Sequence, residues 1–87
     1  MMNKVWFDRA WSDYEIWQQR DKKIINKINK LLKDIERNGY KGIGKPEPLK
    51  HNLQGFWSRE IDEKHRLVYR VERGQIEIAQ CMGHYDD

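Results

Sequence analysis

Large apolar residues recur at two spacings along the chain, and each spacing predicts a different kind of element. Lys4 to Phe7 read as a short strand, and Asp8 is placed to cap a following helix in which Trp11, Tyr14 and Trp17 recur three residues apart. Such an aromatic stripe ordinarily marks a core face rather than a binding surface. Asp21 offers a second N-cap, after which Ile24, Ile25, Ile28, Leu31, Leu32 and Ile35 outline one face of a longer helix. Lys22, Lys23, Lys27, Lys30 and Lys33 fill the rest of that helix. Asn38 and Gly39 suit its exit, where a left-handed residue is wanted. The stretch GYKGIGKPEP that follows is too rich in glycine and proline for regular structure. Beyond it GFWSREI, HRLVYRV and QIEIAQCM are β-favouring runs, parted by DEK and by a turn around Arg73 and Gly74, and they read as an antiparallel meander.

Helices first and strands afterwards predict an α+β fold, with two N-terminal helices packed on one face of a small antiparallel sheet and the other face left to a partner. A single domain is expected over residues 1–87, because a chain of this length buries only about 60 to 65 % of its unfolded surface and supports one core. Only 38 % of residues are hydrophobic, yet four Trp, four Tyr and two Phe supply large burial per side chain. In HRLVYRV, period-two alternation puts His65, Leu67, Tyr69 and Val71 on one side and Arg66, Val68 and Arg70 on the other. Arg66 is therefore expected to face away from the helices. A net charge of +3 and a pI near 9.1 favour acidic partners only weakly, leaving nucleic acid, acidic protein and membrane surface open. With one cysteine, Cys81, no basic-then-apolar opening segment and no apolar run near the roughly 20 residues needed to span a bilayer, a cytoplasmic location is expected.

Several chemistries fit the residues poorly. His51, His65, His84 and Cys81 lack tight metal-ligand spacing, and no acidic cluster suited to magnesium accompanies them, so neither a metal nor another cofactor is expected. Ser12 and Ser58 have no nucleophile motif around them, and a lone cysteine is usually a small core residue. The glycines at 39, 42 and 44 follow a helix instead of opening one, unlike a phosphate loop. What remains is a carboxylate, an arginine, lysines and a histidine in the second half. Metal-free RNA cleavage needs such groups: a base for the 2′-hydroxyl, cations for the crowded phosphorane and an acid for the departing 5′-oxygen. In GKPEPLKHN, Pro46 and Pro48 stiffen the segment around Glu47, while Lys45 and Lys50 would draw a phosphate toward it. Each residue also has an ordinary reading, Glu47 in a solvated loop, His84 on the surface and Arg66 paired with an acid.

The run GKPEPLKHNLQGFWSREIDEKHRLVY, the terminal HY and the helical WSDYEIWQQRDKKIINKINKLLKDI together closely resemble the YoeB (Txe) branch of the RelE superfamily of bacterial toxin-antitoxin toxins. That resemblance implies a RelE-like microbial ribonuclease fold and a ribosome-dependent endonuclease that cuts mRNA in the A site of the 70S ribosome. It also implies products with a 2′,3′-cyclic phosphate and a 5′-hydroxyl, a YefM-like antitoxin partner and a tendency to homodimerise. Carried over by position, it makes Glu47 the general base, Arg66 the transition-state stabiliser and His84 the general acid. It further makes Lys50 and Arg59 phosphate contacts and Tyr85 the aromatic that orients a substrate base. Glu60 stands where the family commonly has a second arginine after Ser-Arg, and Asp86 and Asp87 extend past the His-Tyr end. Two other readings compete: a ParE-like toxin that binds DNA gyrase without cutting RNA, and a non-catalytic RNA- or ribosome-binding module that uses the lysines of the second helix.

Overall fold

In the computed structural model, which describes residues 2–84, β1 (Asn3–Trp6) leads into α1 (Asp8–Arg20) and α2 (Lys22–Asn38). A two-residue β2 (Glu47–Pro48), a 3-10 turn (His51–Leu53), β3 (Trp57–Glu60), β4 (Arg66–Glu72) and β5 (Gln75–Gln80) follow. The expected base-orienting Tyr85 and the Asp86 and Asp87 extension lie outside the described residues. Asp21 caps α2 by accepting the Lys23 N–H at 3.0 Å, and Gly39, at φ 65°, receives the chain at the other end. Asp8 does not cap α1. Phe7 holds that position without a side-chain bond, and Asp8 instead places its negative charge in the first turn.

The five strands form one sheet in the order β1-β5-β4-β3-β2. β3 to β5 pair antiparallel, as expected, β2 adds a two-residue antiparallel edge where a loop was expected, and Arg73 and Gly74, both at positive φ, make the tight turn between β4 and β5. β1 corrects the all-antiparallel expectation by adding parallel to β5, so the sheet is mixed. A hairpin fixes the relative direction of its two strands, but β1 and β5 are joined only through the rest of the chain. Their orientation is set by how α1 lies back across the sheet.

The helical apolar face delivers Ile24, Ile28, Leu31, Leu32 and Ile35 to the core, where they meet Leu67, Tyr69, Ile76 and Ile78 from the sheet. Trp17 is buried with them, whereas Trp11 is 46 % exposed and stands edge-on to Trp6 with ring centroids 5.9 Å apart. Geometry accounts for the difference: six residues at 100° each leave Trp11 and Trp17 about 120° apart around the helix. The aromatic stripe thus splits between a core residue and a surface one.

Candidate active site

Alternation along β4 sends Leu67 and Tyr69 into the core and leaves Arg66, Val68 and Arg70 on the sheet face away from the helices. The register carries that face sideways. Glu47 lies opposite Ser58, Ser58 opposite Val68, and Val68 opposite Gln80, while Glu60 lies opposite Arg66. Glu47, Glu60 and Arg66 therefore share the open face. Glu47 is two strands and one pleat repeat from Arg66, a backbone separation of roughly 12 Å.

The segment that delivers Glu47 is built around Arg59. Arg59 is fully buried, and its guanidinium engages five acceptors: Tyr69 Oη, the Asp34 carboxylate and the carbonyl oxygens of Gly39, Lys41 and Ile43. Asp34 also accepts the Ile43 N–H at 3.1 Å, and the Arg59 hydrogen bond holds its carboxyl below the ordinary value of 3.8. Residues 39–44 consequently wrap a charge rather than an apolar core, and Gly44 O then accepts the Glu60 N–H at 2.7 Å. At Gly42, φ is 123° and an added Cβ would fall 1.9 Å from Asp34 Oδ2, so only glycine fits there. This corrects the expectation that Arg59 meets a substrate phosphate. Its donors are saturated, and it points to the helix side of the sheet. Trp57 on the same side of β3 carried the signal, since period-two alternation puts Arg59 with it and Ser58 with Glu60.

Lys50 is exposed at the N-terminal edge of the 3-10 turn, just past the buried Leu49. Arg66 Nη1 lies 3.2 Å from Glu60 Oε2, and Lys45 Nζ approaches the other Glu60 oxygen at 3.6 Å. Arg66 Nε and Ser58 Oγ are buried without a hydrogen-bond partner among the described residues. The C-terminal segment reaches this same strip: Gly83 O accepts the Arg66 N–H at 3.1 Å, and the Gln80 side-chain amide donates to His84 O at 3.0 Å. His84 is exposed beside Arg66. Of the expected site residues, Glu47 and Arg66 share one side of the sheet with Glu60, and the His84 backbone meets that side through Gln80.

Cys81 has no part in this strip. Burial, reinforced by the nearby Asp13 charge, pushes its thiol up to about 12, which keeps it protonated. Among the described residues, no group of three or more His, Cys, Asp or Glu could hold a metal ion, and no helix is long and apolar enough to cross a membrane.

Residues 6–85 match the family model described as the YoeB-like toxin of bacterial type II toxin-antitoxin systems. Toxin YoeB of Escherichia coli strain K12 is 55 % identical over 84 residues, covering 97 % of this chain and all of that protein. The toxin in a YoeB–YefM complex from Staphylococcus aureus is 51 % identical and superposes with a TM-score of 0.91, over 98 % of this chain and 99 % of its own. The structure of a YoeB dimer from Staphylococcus aureus matches at 53 % identity and TM-score 0.91, covering 97 % and 98 % of the two chains.

Proposed function

The chain belongs to the YoeB-like toxins of bacterial type II toxin-antitoxin systems, and from that premise we propose that it is a ribosome-dependent endoribonuclease that cuts mRNA in the A site. The observation that supports this reading best is a carboxylate and an arginine on the helix-free sheet face, with the backbone of a histidine held beside them by Gln80. A binding module needs cations there, but not an acid-base pair set across an arginine. Glu47 takes the proton of the 2′-hydroxyl, whose oxygen attacks the adjacent phosphorus. Arg66 stabilises the negative charge that grows on the phosphorane, with Lys50 holding a flanking phosphate. His84 gives its proton to the departing 5′-oxygen, leaving a 2′,3′-cyclic phosphate and a 5′-hydroxyl. Tyr85 orients the base at the cut, and the ribosome presents the message. The reaction so written uses no metal and no cofactor, and it takes place in the cytoplasm. A YefM-like antitoxin covers the open face and C-terminal segment, as suits the complex formed by the Staphylococcus aureus relative, and a homodimer is proposed from that relative's dimer.

Translation of a defined message on purified ribosomes tests this. Wild-type protein is expected to leave cyclic-phosphate ends at A-site codons, while Glu47→Ala and His84→Ala each lose roughly 100- to 10,000-fold in cleavage with ribosome binding retained. Ends without a cyclic phosphate, or undiminished cutting by Glu47→Ala, overturn the reading.

A further inference from the structure

The segment that carries His84 into the site is tied down residue by residue. Asp13 on α1 accepts the Cys81 N–H at 3.0 Å, and Trp17 Nε1 donates to Cys81 O at 2.9 Å. Arg9 Nη2 donates to Met82 O at 2.9 Å. Gly83 is the last residue before His84, and its N–H donates to the side chain of His65 at 2.8 Å, to Nδ1. Its carbonyl meanwhile accepts from Arg66. Gly83 sits at φ 79°, a conformation that lets its N–H turn to His65 while its C=O turns to Arg66.

We propose that His65 is a positioning residue that sets the placement of His84 by accepting the Gly83 N–H on an unprotonated Nδ1. The proposal rests on the reading of His84 as the general acid. A backbone N–H can only donate, so the imidazole nitrogen facing it must carry a lone pair and the proton must sit on Nε2. Trp17 meets the ring edge to face at 4.8 Å and 82°, and the His65 backbone N–H is anchored to Asp62 Oδ1 at 2.7 Å. Proton uptake at Nδ1 turns acceptor into donor, sets two N–H groups against each other and opens the clamp. The charged groups on the elements packed about it are Asp62 and Lys64 in the β3–β4 turn, Glu60 at the end of β3, Arg66 next in the chain, Arg9 and Asp13 on α1, and Arg20 over the Trp17 ring, with His84 following Gly83. The order of the catalytic segment is thereby coupled to pH by a side chain that packs against Trp17 and the Gly83 amide.

Amide hydrogen exchange at Gly83, followed by NMR on the free protein from about pH 8 down to about pH 5, tests this, with β4 amides reporting the global fold. In wild type, Gly83 protection relative to the intrinsic rate is expected to fall about tenfold or more on acidification while β4 stays protected. His65→Phe keeps an aromatic edge for Trp17 but no acceptor, and is expected to lose Gly83 protection at every pH. His65→Asn places an amide oxygen near the Nδ1 position, and is expected to retain protection with no pH dependence. On ribosomes, His65→Phe should lower kcat by roughly 10- to 100-fold at unchanged KM, with His65→Asn restoring it. Equal Gly83 protection in wild type and His65→Phe, with β4 intact, overturns the clamp. If His65→Phe does not fold, a wild-type pH dependence persisting in His65→Asn overturns it instead. Loss of protection in His65→Phe with full cleavage would leave the clamp standing and remove the role assigned to His84.

Discussion

Glu60→Gln isolates the carboxylate that pairs with Arg66 in the proposed site. The Glu60 carboxylate lies 3.2 Å from Arg66 Nη1, the group proposed to meet the phosphorane. At that distance the gross attraction is roughly 5 kcal/mol for an effective dielectric near 20. The net value is far smaller, because both groups give up hydration and compete with water. With side chains 18 % and 29 % exposed, a coupling of about 1 kcal/mol is realistic. A substrate phosphate must displace this carboxylate, so the pair raises the cost of engaging Arg66 by that amount. Glutamine keeps the size and the backbone bond from Glu60 N–H to Gly44 O, and removes the charge. Single-turnover cleavage on programmed ribosomes should then show kcat/KM about fivefold higher at low salt, the ratio narrowing as salt screens the wild-type pair. In an Arg66→Gln background the same change should have little effect, which closes a double-mutant cycle. An unchanged or lower kcat/KM for Glu60→Gln at low salt, with Arg66 present, would refute the reasoning.

Three further outcomes follow from the Arg59 cluster and from Cys81. Arg59→Met should destabilise the fold by about 3 kcal/mol in urea titration at pH 7, since it strands the Asp34 carboxylate and three carbonyls. Because the folded Asp34 carboxyl lies below its ordinary 3.8, its contribution is complete above that value and is lost as pH falls through the lowered one; Asp34→Asn should therefore flatten the acid limb of stability, and an unaltered limb would assign it to other carboxylates. Cys81, with its thiol pushed up to about 12, should react with iodoacetamide at pH 8 at least ~1,000-fold more slowly than in the urea-unfolded chain, and fast labelling of the native protein would contradict its burial.

Local chemistry made much of this fold legible. The isoleucine-leucine face of α2, its Asp21 cap and Gly39 exit, and the alternation of β4 each depend on near neighbours, and each emerged in place. The orientation of Arg66 followed from the same alternation. Features that depend on distant residues did not show. The parallel pairing of β1 needs a partner more than 70 residues away, and the saturation of Arg59 needs Asp34 from α2 together with three carbonyls from a loop of no regular pattern. A cationic residue in a motif expected to contact RNA reads as a phosphate ligand until its five acceptors are located. His65 was similarly opaque, because its partner is a backbone amide contributed by residue 83.

The Pro-Glu-Pro segment has a consequence at the rim of the sheet. Leu49 N–H points inward to Phe56 O, and along a strand alternate amides point the same way, so those of positions 46 and 48 are directed outward. Both are prolines and have no hydrogen to offer. The outer border of β2 thus presents carbonyls without donors, and an extended chain from another molecule finds no ladder to join there. The border that holds the proposed base is closed to β-strand aggregation and to templated strand exchange, while the carboxylate itself stays exposed.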